Sequence, residues 1–479
     1  MNRKLGFLMN RKLTRWMKKA IVALYAGLVL ALAAATWLEH FQGSAVVHGR
    51  VYGAGWFFAA WALLAVGVTV VAIRYRWWKR GAVGGLHLSF VLILAGAALT
   101  ALTGRRGYVH LQSGEPVNHY VDSERHGLEP LPFTVQLDSF RIRLHRSTLT
   151  PSDYVSYLRI DGQPVRVSMN RVLERQHYRF YQSSYDEDGS SWLSVNRDPW
   201  GIALTYMGYA GWGVSAVGVL LASRSRFRCR QRRSKMHGTP GSGEPYFRTA
   251  WLEAGTVAAG AVLLVLLVLF GLRWKSGGHI PLSNGFETLL FLSICTLAVA
   301  LAGRRRAPLL LPLGGLSAAA SLAMAFWGPM DASVSPLAPV LASPLLGFHV
   351  ATIMVGYALL ALLFAGGVAG MLLPRRREEL MRLGRLLLYP AVFFLGAGIF
   401  LGAVWANQSW GRYWAWDPKE VWALITFMVY AVAFHYRSFP WLRRPLCFHR
   451  YMVFAFLAVL MTYFGVNFLL GGMHSYAMP

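Results

Sequence analysis

The side chains most able to do chemistry crowd into one stretch of the 479-residue chain, Trp405 to Trp422. It holds Trp405, Trp410, Trp414, Trp416 and Trp422 around the run Trp410-Gly411-Arg412-Tyr413-Trp414-Ala415-Trp416-Asp417-Pro418-Lys419-Glu420. Tryptophan marks membrane interfaces, and a belt there accounts for two of these five residues. It does not account for such density beside Asp417, Lys419 and Glu420. An aromatic shelf flanked by polar groups suits a flat apolar macrocycle with carboxylates at its edge. No general acid or base is identified by the pattern. Asp417 and Glu420 are the candidates, and Asp417 could equally cap the helix that follows.

Histidine is the second set. Of the fourteen, His110, His119, His126, His145 and His177 fall in a polar central segment, His237 and His449 in basic loops, and His40 and His48 in a short loop. For these a solvated or hydrogen-bonded imidazole suffices. Four others sit where apolar runs begin or end. His87 opens one run about 10 Å along a helix from Arg80. His435 closes another just before Arg437, His349 opens a third after Pro344, and His474 follows Gly471-Gly472 beyond the last. An ionisable residue at membrane depth is costly and marks function. Paired neutral imidazoles on facing helices are the usual means of holding haem iron at both axial positions. The four sort by topology into an inner pair, His87 and His435, and an outer pair, His349 and His474. A snorkelling side chain or an interhelical hydrogen bond is the plainer alternative at each. In the loop Gly278–Glu287, which carries the remaining histidine, His279, Asn284 and Glu287 either cap the next helix or help to line the outer site.

The elements that must position these residues are membrane helices. The chain is 55% hydrophobic with mean hydropathy +0.39. Eleven runs, 21–38, 56–73, 86–103, 200–222, 251–272, 286–303, 307–327, 347–373, 386–405, 421–436 and 451–470, approach the ~20 residues that cross a bilayer. Pro308 and Pro312 interrupt the start of the seventh. The net charge of +27 invites a nucleic-acid reading, but the basic clusters fall in alternate loops. The segment 104–200, by contrast, balances twelve Arg against twelve acidic residues. The charge is therefore a topology signal and excludes a polyanion-binding surface. It places the N-terminus inside and segment 104–200 and the C-terminus outside. The first run could be a cleaved signal ending at Ala33-Ala34-Ala35, and a retained anchor is the reading adopted. Met-Asn-Arg-Lys-Leu occurs at 1–5 and again at 9–13, so Met9 is an alternative start.

The segment 104–200 reads as β-rich. Phe133–Leu144 alternates, Tyr154–Ile160 and Val165–Met169 flank the turn Asp161-Gly162, and Tyr178–Ser183 and Trp192–Val195 flank Asp188-Gly189. None of the three cysteines, Cys229, Cys295 and Cys447, lies in it, and no Cys-x-x-Cys motif exists. The expected fold is thus a polytopic α-helical membrane protein of about 11 spans with one small β-rich extracytoplasmic domain. A basic, then Gly/Pro/Ser-rich linker at 223–248 suggests a four-span protein fused to a seven-span one.

On these residues the chain resembles the system II cytochrome c synthases, fused CcsB–CcsA (ResB–ResC-like) proteins. The tryptophan run is similar to the haem-handling motif of that superfamily, and His349 and His474 match its outer histidines. His435 matches the membrane histidine of the CcsA half and His87 that of the CcsB half. Tyr178–Tyr185 and Asp198-Pro199 resemble the CcsB extracytoplasmic domain. The resemblance implies CcsB-like helices at 1–103, that domain at 104–199, a fourth helix at 200–222, the linker at 223–248 and a CcsA-like domain at 249–479. It implies a multi-pass protein of the bacterial inner membrane with holocytochrome c synthase (haem lyase) activity. Haem b, both substrate and bound ligand, would be held by His87 and His435. It would then pass to His349 and His474 on a platform of Trp405, Trp410, Trp414, Trp416, Asp417 and Trp422. There its vinyl groups would meet the thiols of a Cys-x-x-Cys-His motif in apocytochrome c. A thiol-reducing partner and membrane lipid complete the expected partners, and no nucleic acid is among them. The alternatives are a haem exporter without synthase activity, a dihaem b-type electron-transfer subunit, and a scaffold that binds no cofactor.

Overall fold

The computed structural model describes residues 2–123, 125–145, 148–236, 246–436 and 438–471, with 2–15, 224–236 and 246–250 described by backbone course only. The first half runs α1 (Asn2–Gln42), a short helix α2 (Ser44–Val47), α3 (Gly55–Arg74) and α4 (Ala82–Thr103). Eight strands follow, and α5 (Gly201–Met236) closes this half. The second half runs α6 (Tyr246–Gly277), α7 (Gly285–Gly303), α8 (Leu310–Trp327), α9 (Pro344–Leu372), α10 (Arg377–Trp410), α11 (Pro418–Val432) and α12 (Pro445–Leu460). A π-helical segment, Met461–Leu470, continues α12.

Among the described residues ten helices are long and apolar enough to cross a membrane. The eleventh predicted span, 421–436, differs from expectation: it is the 15-residue α11 followed by the 3-10 turn Ala433–His435. Together these rise about 28 Å, just short of the ~30 Å hydrocarbon core. Asp417-Pro418 fixes the start, and the His435 carbonyl, accepting from Ser438 N and Phe439 N, closes the end. In α8 the prolines do no harm. The helix begins after Pro308, and Pro312 lies in its first turn, where a missing N–H costs nothing.

The sheet domain is one antiparallel sheet in the order β5-β4-β3-β2-β1-β8-β7-β6. Its strands are β1 (Arg105–Leu111), β2 (Pro116–Asp122), β3 (Leu128–Leu144), β4 (Pro151–Ile160), β5 (Gln163–Ser168), β6 (Leu173–Arg175), β7 (Tyr178–Tyr185) and β8 (Ser191–Arg197). A bridge between Ser168 and Arg171 brings its two edges together, so the sheet curls around a core of Leu111, Val135, Leu137, Ile160, Phe180 and Leu193. The predicted hairpin at Asp161-Gly162 is present, with both residues at positive φ (47° and 81°) as a two-residue turn requires. β1, β2 and β6 were not anticipated. Arg105-Arg106 and the polar β2 carry little alternation, and their place in the sheet is set by β3 and β8.

Three contacts hold the molecule together. α4 and α5, which carry the chain into and out of the sheet, pack backbone to backbone. Gly96 lies against Thr205, and Gly208 against Ile93 and the Ser89 carbonyl, where any side chain would collide. α5 joins the second half through Trp212, buried to 2% exposure against Phe393, Phe400 and Gly396 of α10. α1 joins α11 through Tyr25 Oη, which donates to the Met428 carbonyl at 2.8 Å, and through an apolar cluster that includes Leu32, Val421 and Ile425. The sheet therefore caps one end of a bundle in which helices of both halves surround α11.

Candidate functional site

At the bundle end away from the sheet, the first half contributes His87, in the second turn of α4, and the second half contributes His435, at the close of α11. Their ring centroids are 6.2 Å apart and the rings are perpendicular, at 87°. His87 Nδ1 is 2.8 Å from the Val83 carbonyl and His435 Nδ1 is 3.0 Å from the Ala431 carbonyl. A carbonyl can only accept, so each Nδ1 carries the proton and each Nε2 keeps its lone pair free. An imidazole–metal bond is about 2.0 Å, so two imidazoles on opposite sides of one iron place their centroids about 6.3 Å apart. Trp77 lies against His87 at 4.3 Å.

At the sheet end α10 terminates on Gly411, whose φ of 74° is the left-handed conformation common at helix C-termini. The chain turns through Arg412–Trp416 and enters α11 with Asp417 as its cap, Oδ2 accepting from Lys419 N at 3.0 Å. The Glu420 carboxylate reaches back to Ala415 N at 2.8 Å. Both candidate acid–base residues are thus engaged in holding the turn. Trp416 has φ 58°, an unusual conformation for a bulky residue. The tryptophans form two edge-to-face pairs, Trp405–Trp410 at 4.7 Å and Trp414–Trp416 at 5.8 Å. Trp422 Nε1 donates to Thr36 Oγ1 of α1 at 3.0 Å. The indole N–H groups of Trp405 and Trp414 are buried and have no hydrogen-bond partner among the described residues.

His349, in the second turn of α9, lies in the same region. Its Nδ1 is 2.7 Å from the Gly398 carbonyl, and its ring fills a notch in α10 left by Gly402, where a Cβ would come within 2.6 Å of Cε1. His474, its expected companion, lies outside the described residues. Asn284 caps α7 by accepting from Glu287 N at 2.9 Å. Glu287 Oε2 accepts from Ser283 N and Oγ, and its Oε1 pairs with Arg273, so these two residues hold a helix start together. Among the histidines given no special role, His449 Nε2 bonds the Arg377 carbonyl at 2.8 Å and His145 Nε2 the Leu337 carbonyl at 3.2 Å.

The sheet domain grips the tryptophan loop directly. Tyr181 Oη donates to the Asn407 carbonyl at 3.1 Å while its ring covers Gly411, and Asn196 Nδ2 donates to the Gly411 carbonyl. Burial pushes the Tyr181 hydroxyl up to about 12, so it stays a donor. Tyr413 Oη reaches Thr100 Oγ1 at 2.9 Å, and Thr100 in turn donates to Asp198. The loop's shape is therefore imposed by α4, α5 and the sheet together.

Sequence reasoning missed one whole wall of this site. Tyr52, in the π-turn His48–Tyr52, stacks flat on Trp416 at 5.1 Å and 10°, and Phe57 meets the same indole edge-on at 5.0 Å. His48 packs on Tyr52 at 5.5 Å and is held below its ordinary value by burial and by the Arg412 guanidinium. Arg412 is itself lowered by burial and by Arg106. The available signal was Glu39, a carboxylate at the end of an apolar run, which meets the same criterion that singled out the histidines.

A family model described as "Cytochrome C assembly protein" matches residues 282–474, and one described as "ResB-like family" matches 67–199. Protein NrfI of Wolinella succinogenes is 36% identical over 217 residues, 43% of this chain and 24% of that protein. The cytochrome c biogenesis protein CcsA of Chlamydomonas reinhardtii is 37% identical over 235 residues, 45% of this chain and 65% of that protein. CcsA of Prochlorococcus marinus strain MIT 9303 is 34% identical over 279 residues, 47% of this chain and 87% of that protein. The chain thus spans about a quarter of NrfI and just under two thirds of the Chlamydomonas protein.

Proposed function

The chain belongs to the CcsA family of cytochrome c biogenesis proteins, here with a ResB-like half fused ahead of it, and from that premise we propose that it carries haem across the membrane and attaches it to apocytochrome c. The observation that carries this reading is the His87–His435 pair, drawn from the two halves, perpendicular and 6.2 Å apart, with neither Nε2 hydrogen-bonded among the described residues. The pair would receive haem b at the cytoplasmic face of a bacterial inner membrane, with the sheet domain and both Trp pairs on the outer side. His349 and His474 would hold the iron there, and the tryptophan loop would hold the macrocycle.

The chemistry asked of the outer site is modest. Each cysteine thiol adds across a haem vinyl group, so an S–H bond breaks, an S–C bond forms and the proton passes to the terminal vinyl carbon. Iron kept reduced and thiols kept reduced suffice, the latter supplied by a thiol-reducing partner. The protein's part is to hold two reactants in register, which alone is worth several kcal/mol. Tyr181, Asn196 and Tyr413 serve that end by fixing the loop.

Expression with an apocytochrome c in a host stripped of its own maturation system tests the reading. Covalent haem on the cytochrome, resistant to acid–acetone extraction, is expected. Haem delivered to the outer side without a covalent bond would make the protein an exporter and contradict it.

A further inference from the structure

Between α6, α7 and α8 lies a groove of about 950 Å³ that shares no lining residue with either histidine site. Its walls are apolar throughout, with the Trp251 indole N–H the one polar side-chain group among the lining residues. Along α6 the groove runs from Trp251 to Val262, and along α8 from Leu311 to Leu322. Each stretch rises about 16 Å, half of the ~30 Å hydrocarbon core and so the depth of one lipid leaflet. Small residues open it: a Cβ added at Gly315 would meet nothing within 4 Å. It faces outward from the bundle, with Val262 45% exposed on a helix long and apolar enough to cross a membrane. Lipid tails match such walls, whereas an empty groove forfeits the contacts on one side.

The mouth carries charge. Arg304-Arg305-Arg306 connects α7 to α8 and ends two residues before Pro308, which lines the groove. The Arg304 guanidinium donates to the Leu301 carbonyl, and Arg305 and Arg306 are exposed. None of the three is in an ion pair among the described residues. A leaflet-deep apolar groove ending at a run of cations is complementary to a lipid with an anionic headgroup.

We propose that this groove seats one anionic phospholipid, an acyl chain lying between α6 and α8 and the phosphate meeting Arg305 and Arg306. The site is independent of haem chemistry. Haem would find no histidine, cysteine or methionine in the walls to hold its iron. The sequence that precedes α6, residues 237–245, has no Leu, Ile, Val, Met, Phe or Trp with which to fill the groove.

Delipidated full-length protein, titrated in detergent with phosphatidylglycerol or phosphatidylcholine, tests this when the bound lipids are counted by native mass spectrometry. One phosphatidylglycerol per protein should be retained, about 30-fold more tightly than phosphatidylcholine, since each arginine near an anionic headgroup contributes about fivefold. Replacing both exposed arginines, Arg305→Gln with Arg306→Gln, should remove that preference and leave the melting temperature of the lipid-free protein unchanged. Gly315→Leu, which fills the groove, should lower retention of both lipids by at least about tenfold in a protein that still melts cooperatively. Equal retention of the two lipids by the wild type, or several lipids held alike, would mean an annular layer only and overturn the proposal. A preference that survives the double substitution, or retention unchanged in Gly315→Leu, would overturn it as well. Displacement of phosphatidylglycerol by haem would give the groove to the macrocycle and count against it equally.

Discussion

The two ends of the bundle are built by different means. Away from the sheet, two histidines on two helices meet beside Trp77, each imidazole oriented by a carbonyl one turn back on its own helix. At the sheet end His349 is oriented by a different helix, and the tryptophans are placed by a loop held from three sides, by α1, α4–α5 and the sheet. The first arrangement suits binding and release of a cargo, because each ring is oriented from its own helix and stays so when the two helices separate. The second suits orientation, because a loop with Trp416 in a strained conformation keeps its shape only while its surroundings enforce it.

The sharpest way to break this contrast is His435→Ala. Removing half of the far-end pair should lower haem retained on purification by at least about 100-fold, read by pyridine haemochrome, whereas His349→Ala should keep far-end haem. Equal losses would mean the ends are not separate sites. Next in size is Gly402→Leu, which fills the notch holding His349 and should cost about 1–3 kcal/mol in thermal stability while leaving the far-end spectrum intact. Tyr181→Phe removes one buried donor from the loop and should cost about 1 kcal/mol, visible as faster proteolytic release of the sheet domain. The smallest effect concerns His48. Its depressed value means that folding favours the neutral ring, so it contributes stability above its ordinary value of 6.5 that is lost as pH falls through the lowered folded value. Between about pH 7.5 and about pH 5 the wild type should lose more of its melting temperature than His48→Gln.

The same contrast decided what the sequence could reveal. Helix spans follow from unbroken apolar runs, so α4 and α9 start within four residues of expectation. His87 lies in the second turn of α4, but Arg80 belongs to a separate 3-10 turn, because Gly81 at φ 54° breaks the helix between them. The Asp161-Gly162 turn follows from two residues that tolerate positive φ. The far-end pair needs nothing more than helix ends and charge topology. The sheet-end site needs contacts between residues hundreds of positions apart, such as Tyr52 on Trp416 and Tyr181 on Asn407, which no local pattern encodes. α11 was expected to span fully because Trp422 onward is apolar. The Asp417-Pro418 cap and the 3-10 close instead set its length, and they also place Glu420 and His435.

The account stands most directly on the visible spectrum of the detergent-purified protein from cells supplied with haem precursor, recorded before and after dithionite. It predicts sharp reduced bands of bis-imidazole haem that are lost in His87→Ala. A wild-type protein with no haem bands, or bands that survive His87→Ala unchanged, would contradict it.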